Sequence, residues 1–429
     1  MSALADRIRG IVGTPGPKGP GLQNESQHNQ SRIPNPESLS LLGGELRGNV
    51  FVVERRLPPS TRHGREALGT LGQCLDESAG EAALYAGGAQ APPPFVFFDL
   101  ETTGLSGGAG TQAFLVGCGW FEQDGSFATR QFLLTRYADE RPMLDTVAAE
   151  LACAGTLVTF NGKSFDTPML ETRYLFHRLS WNGRELPHVD VLHPARRFWK
   201  RGTGGARAFE ASDCSLVTLE KQELGVRRSG DVPGLEIPRR YFQFVRSGDA
   251  RPLAAVLQHN RFDLLSLAAL TARLLHLARV GPEAAKDARE ALALGDVFAR
   301  AGLALRACDA FGRAVEMTER GAVSQVVRID SLRALALAHR RTRQYAAAAA
   351  CWRRLVDTPG CPPRVLREAT EALAVHHEHR DRDLETAKAF ALRGLDVEAQ
   401  PAWNQAVHHR LARLNRKLRI SGQRMSLLS

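Results

Sequence analysis

Three short acidic segments lie against apolar runs in the middle of this 429-residue chain, and they limit what it can fold into. They are Phe98-Asp99-Leu100-Glu101-Thr102-Thr103-Gly104, Asn161-Gly162-Lys163-Ser164-Phe165-Asp166 and His259-Asn260-Arg261-Phe262-Asp263. An acid carried into a core by apolar neighbours is costly unless it is paired or holds a cation. The four carboxylates Asp99, Glu101, Asp166 and Asp263 therefore imply a metal site built into a folded core.

The pattern around these segments is that of a sheet wrapped by helices. Phe95-Val96-Phe97-Phe98 suits a buried central strand that delivers Asp99 at its carboxyl end. Strand-like runs at 112–120 and 127–134 are separated by Gln123-Asp124-Gly125, a hairpin signal. A helix follows with Met143, Val147 and Leu151 on one face, then a strand over Thr156–Phe160. Further helices are predicted near 166–178, 214–224 and 253–278. Strand, hairpin, helix, strand is the opening of an RNase H-like α/β fold, a mixed sheet flanked by helices, and the spacing places it at residues 45–280.

Residues 1–44 are predicted to be a disordered amino-terminal segment. From 13 to about 42 they are rich in Gly, Pro, Ser, Asn and Gln and cannot offset their ordering entropy. Ahead of that stretch, Leu4, Ile8 and Ile11 have the spacing of a short docking helix. Residues 49–57 read as a strand, and a Gly/Ala/Pro-rich stretch follows to Pro94. Strand signals stop after Gly281. Leu294, Gly295, Phe298, Ala307, Phe311 and Ala314 have the spacing of a tetratricopeptide repeat. Leu335, Ala336, His339, Ala348, Trp352 and Leu355 repeat it, and a weaker copy runs from about 369 to 395. An all-α tetratricopeptide-like solenoid over 281–420 is predicted, with a flexible tail at 421–429.

Local geometry brings some of the acids together. Asp99 and Glu101 are two residues apart, so on an extended strand they share a face and can share an ion. His259 and Asp263 lie one turn apart on a helix. As an imidazole, His259 is of the side-chain type suited to take a proton from an attacking water. Phosphodiester hydrolysis needs such an activated water and a stabilised leaving oxygen, which two divalent ions provide. Oxygen ligands without soft thiolates select magnesium or manganese.

The order Asp-x-Glu, Asn-x3-Phe-Asp, His-x3-Asp resembles the DEDD superfamily of 3′-to-5′ exonucleases, and the surrounding sequence resembles its bacterial YprB-type, ribonuclease H-like branch. Phe98 through Leu105 is similar to the first exonuclease motif and Phe160 through Leu170 to the second. The resemblance covers about residues 45 to 280 and implies that Asp99, Glu101, Asp166 and Asp263 are metal ligands for two Mg2+ or Mn2+ ions, with His259 as general base. It further implies substrate contacts from Thr102, Gly104, Asn161, Phe165 and Asn260. The superfamily divides between a tyrosine with three residues between it and the last aspartate and a histidine with four; this chain combines histidine with the tyrosine-type spacing.

Lys plus Arg (56) exceed Asp plus Glu (46), and the net charge of +10 favours an anionic partner. Seven scattered cysteines with no Cys-x-x-Cys pair exclude a disulfide framework or zinc knuckle and point to a reducing, cytoplasmic setting. No 18-residue apolar run occurs, so no membrane partner is expected. The glycine-rich stretch Gly104–Thr111 lacks the Gly-Lys-Ser/Thr ending of a phosphate loop and reads as a loop beside the first metal motif. Asp190 reads as a helix cap or core acid before a fifth ligand. Arg196-Arg197-Phe198-Trp199-Lys200-Arg201 fits either a single-strand-binding surface or a helix face with two buried aromatics. Trp403, Val407, Leu411, Leu414 and Leu418 form a capping stripe, with Arg410, Arg413, Arg416, Lys417 and Arg419 as a solvated basic face or phosphate contacts. The expected activity is metal-dependent 3′-to-5′ hydrolysis of single-stranded DNA or RNA from its 3′ end, with a protein partner on the helical repeats. The alternative is a non-catalytic nucleic-acid-binding adaptor.

Overall fold

Alternation along the central strand sets the architecture. In a computed structural model, which describes residues 34–104, 110–181, 183–200, 214–321, 324–395 and 401–426, strand β5 (Phe95–Thr102) is an inner strand of a mixed sheet, where its antiparallel and parallel parts meet. Its odd residues Phe95 and Phe97 enter one core, while Val96, Phe98 and Leu100 enter the core on the other face. Asp99 and Glu101 continue the odd row.

The sheet has seven strands in the order β1-β2-β7-β6-β5-β8-β9. On one side of β5, β6 (Ala113–Phe121) and β7 (Phe127–Leu133) form the predicted hairpin, and β2 (Val50–Leu57) and β1 (Glu45–Arg47) extend it antiparallel. On the other side, β8 (Thr156–Thr159) and β9 (His188–Asp190) run parallel to β5. The carboxyl ends of β5 and β8 thus open at the same edge. Helices α3 (Glu140–Leu151) and α4 (Asp166–Phe176) belong to one core. The 28-residue helix α8 (Leu253–Val280) covers the other face, placing Leu264, Leu267, Ala268 and Leu270 in the core of Phe97 and Phe127.

Some segments differ from the sequence expectation. Residues 34–44 are ordered: helix α1 (Pro36–Ser40) starts at Asn35, whose side chain caps Glu37, and Leu39 and Leu42 enter the core. The Asn35 N–H donates to Gly248 O at 2.9 Å, so polar composition is overridden by a tie to a distant loop. Leu4, Ile8 and Ile11 lie outside the described residues. The stretch before Pro94 holds a short hairpin, β3 (Arg62–His63) with β4 (Glu66–Ala67), and helix α2 (Leu68–Ser78). Glycines at 69 and 72 weaken the local helix signal. Gly72 is needed there, because a Cβ would come within 2.9 Å of the Phe121 ring. Helices α5 (Leu192–Trp199), α6 (Leu216–Leu219) and α7 (Ile237–Ser247) complete the α/β part.

Beyond Gly281 the described residues are helical: α9 (Ala288–Arg300), α10 (Ala304–Arg320), α11 (Gln325–Arg341), α12 (Tyr345–Val356), α13 (Pro363–His376), α14 (Leu384–Leu395) and α15 (Pro401–Ser426). Each packs on its sequence neighbour. The apolar interior continues from Phe97 and Val158 of the sheet through Leu294, Phe298 and Phe311 to Trp352 and Leu373. Trp199 and Arg273 bind Glu290 at 2.9 and 2.8 Å, reinforcing that junction. Helix α15 continues to Ser426 instead of ending in a tail at 421, and Val407, Leu411 and Leu414 close the stack. No helix among the described residues is long and apolar enough to cross a membrane.

Candidate metal centre

The odd face of β5 and the first third of α8 meet at the carboxyl edge of the sheet. One potential ligand atom each from Glu101, His259 and Asp263 lies within 4.8 Å of the others. Asp99 is held from behind, with Asn260 Nδ2 donating to its Oδ2 at 2.8 Å. Asn260 Oδ1 in turn accepts from Gln131 Nε2 at 2.7 Å, across the hairpin. Gly117, the antiparallel partner of Asp99, makes room for this amide: a Cβ there would sit 2.2 Å from Asn260 Oδ1. Asp166 opens α4 and is buried, 5% exposed.

These carboxylates are packed round closely and charge one another. Burial raises Asp99 well above the usual carboxylate range, with Asp263, Glu101 and Asp166 adding repulsion. Glu101 is raised in the same way by burial and then by Asp263 and Asp166. Asp166 is pushed up to about 7 by burial and then by Asp190. Asp263 is also raised by burial, against the pull of Arg228 and His259. Several acids too crowded to ionise together are short of positive charge, and hard oxygen donors suit a divalent cation.

A loop that sequence reasoning passed over supplies the site's one internal cation among the described residues in contact with these acids. Arg228, 4% exposed, donates to Asp263 Oδ1, to Asp231 Oδ2 at 3.0 Å and to both oxygens of Glu220, with Nε to Oε2 at 2.8 Å. Glu220 is buried and also accepts from Ser266 Oγ, which lies 2.8 Å from His63 Nε2. Burial and the Arg228 charge, outweighing Glu220, hold the His63 imidazole down at about 4. Asp231 Oδ1 is 2.8 Å from His259 Nδ1, while His259 Nε2 is 3.5 Å from Asp263 Oδ2. Burial would raise Asp231, but His259 and Arg228 lower it overall. The only sequence signal for Arg228 and Asp231 is a Gly- and Pro-marked polar turn, Arg227–Gly234.

The remaining expected residues fall in different settings. Asn260 is fully buried at 0% exposure, with its amide committed to Asp99 and Gln131, so it is placed to support a ligand and cannot reach a substrate. Thr102 is buried and donates to Gly104 O at 2.9 Å. Asn161 is exposed and has a left-handed φ of 70°, turning the chain from β8 toward α4; Phe165 is half-buried at the start of that helix. Asp190 accepts from the N–H groups of Asn161, Lys163 and Leu192 at 2.8, 3.1 and 3.1 Å, a core acid bracing the turn. Leu105–Ala109 of the glycine-rich loop and Arg201 lie outside the described residues. Phe198 and Trp199 are buried, so neither offers a ring for stacking bases. A cavity of about 490 Å³ lined by His63, Cys74, His276 and Lys286 contains none of the clustered acids.

The RNase_H superfamily matches residues 96–275, a span that holds every clustered acid. The uncharacterized protein YprB of Bacillus subtilis (strain 168) is 32% identical over 374 residues, covering 86% of this chain and 86% of that protein.

Proposed function

Because this chain belongs to the RNase H superfamily, in one family with YprB, whose fold serves nucleic-acid-processing hydrolases, we propose that it is a metal-dependent 3′-to-5′ exonuclease acting on single-stranded DNA or RNA. The observation that carries the reading is the cluster itself: Glu101, His259 and Asp263 within 4.8 Å, beside half-buried Asp99 and buried Asp166, whose protons are held tightly first by burial and then by neighbouring carboxylates. Asp99, Glu101 and Asp263 would hold magnesium or manganese, with Asp166 as a further ligand or a neighbour to one. Bound divalent ions would lower the pKa of a water and stabilise the charge that develops on the leaving oxygen.

The protein's own residues supply orientation and proton transfer. Asn260 and Gln131 fix the Asp99 carboxylate before any ion arrives. The 2.8 Å contact from His259 Nδ1 to the Asp231 carboxylate is closer than its 3.3 Å contact to Arg228, so we assign the ring proton to Nδ1. Nε2 is then free, facing the acids, to accept a proton from the attacking water. The stacked helical hairpins, which we read as tetratricopeptide-like, would hold a protein partner, and cysteines that form no disulfide among the described residues suit a cytoplasmic protein.

Matched DNA and RNA strands labelled at either end, digested with and without magnesium, test the proposal. Magnesium-dependent release of mononucleotides from the 3′ end is expected, with His259→Ala about a hundredfold slower. Binding without hydrolysis under every metal would instead identify an adaptor.

A further inference from the structure

We infer that Arg228 is a resident counter-ion that restricts Asp263 to one free oxygen and weakens the site's hold on divalent metal. The inference rests on the metal-dependent reading above. It starts from the geometry of the guanidinium, which is nearly inaccessible at 4% exposure and engages three different carboxylates. Nε and Nη2 grip Glu220 at 2.8 and 2.5 Å, Nη1 reaches Asp231 at 3.0 Å, and Nη2 also donates to Asp263 Oδ1. The Cζ lies over the Phe262 ring, 5.6 Å from its centroid. Glu220 is itself anchored by Ser266. The fork therefore has little freedom to swing away.

Two consequences follow for the cluster. Asp263 has Oδ1 occupied, so only Oδ2, 3.5 Å from His259 Nε2, is left toward Glu101 and the open edge. A carboxylate held by one oxygen cannot rotate to present both to an ion. A fixed positive charge in contact with a ligand also repels any second cation. Arg228 is in this sense a positioning residue: through Asp263 it sets how a ligand is presented, and through Asp231 it sets the orientation of His259. A guanidinium is suited to this, since the single nitrogen of an ammonium cannot reproduce the separate contacts of Nε with Glu220, Nη1 with Asp231 and Nη2 with Asp263.

The affinity of the full chain for Mn2+, read from the free-ion electron paramagnetic resonance signal, separates this role from plain structural support. Arg228→Met paired with Glu220→Gln removes the cation without stranding Glu220, the most buried of its three partners, while Asp231 keeps His259 and Asp263 is left open to an ion. That double variant is expected to bind Mn2+ about tenfold more tightly than the parent, while releasing nucleotide at least about tenfold more slowly. Loss of packing alone would weaken both. Arg228→Lys is the second probe and should bind Mn2+ about threefold more tightly. Unchanged or weaker Mn2+ binding by either variant, folded by circular dichroism, would overturn the inference while leaving the hydrolase reading intact. A parent protein that binds no Mn2+ would overturn both.

Discussion

Two buried acidic sites in this protein solve the same problem in opposite ways. At the end of the helical stack, the Glu378 side chain has no exposed area and is met by Arg413 at 2.7 Å, Lys417 at 2.8 Å and Arg410 at 3.6 Å. Burial works against its ionisation, yet Arg413 and Lys417 outweigh it and hold the carboxyl down at about 2. At the edge of the sheet, Asp99, Glu101, Asp166 and Asp263 are all raised, and the Arg228 guanidinium touches only Asp263 among them. The first arrangement is neutralised from within and needs nothing more. The second leaves a deficit of positive charge that retained protons fill in the metal-free protein and that a divalent cation would fill under the proposed function.

The comparison breaks most visibly at Asp99. Replacing it by Asn removes a charge from the crowded edge while keeping an oxygen and its contact with Asn260, so hydrolysis should fall more than about a thousandfold. The metal-free protein should nevertheless gain about 1 kcal/mol in stability, because repulsion is relieved. Near-normal turnover, or a clear loss of stability in urea titration, would contradict the contrast. Glu378→Gln should do the reverse, costing about 2 kcal/mol by stranding its cations while leaving cleavage of short oligonucleotides within about twofold of the parent. Urea denaturation followed by helical circular dichroism, alongside the nuclease assay, reads both outcomes.

The two sites also differ in how far they could be read from the chain. Asp99 with Glu101, and His259 with Asp263, obey short-range periods of two and four, and those periods are what bring them to one face of β5 and one face of α8. The sheet and its hairpin were legible for the same reason. Arg228, Asp231 and Glu220 come from irregular turns and carry no period; only tertiary packing brings them beside α8. The Glu378 site was hidden likewise, since Arg410, Arg413 and Lys417 lie more than thirty residues along the chain and read as a solvated or phosphate-binding face. Helix α2 was obscured by its glycines, and Leu39 and Leu42 by polar neighbours, because local composition was overruled by contacts with distant strands and loops.

The smallest expected effect is a pH dependence of thermal stability with opposite signs at the two sites. The Asp166 carboxyl lies at about 7 in the folded protein, and an unfolded aspartate titrates at about 3.9. A raised folded value means that the folded state holds the proton more tightly. Its contribution to stability is therefore complete below about pH 4 and is lost as pH rises through about 7. Asp99 and Glu101, also raised, act in the same sense. Glu378, lowered to about 2, contributes above about pH 4 and loses that contribution as pH falls through about 2. Between about pH 4 and 7, then, the metal-free protein should lose several degrees of Tm relative to Asp166→Asn, measured by differential scanning fluorimetry in chelator. Magnesium should restore the difference increasingly toward higher pH, since its ligands bind as carboxylates. Parallel Tm profiles for the parent and Asp166→Asn across that range would mean that Asp166 carries no uncompensated charge, and the edge of the sheet would then resemble the Glu378 site after all.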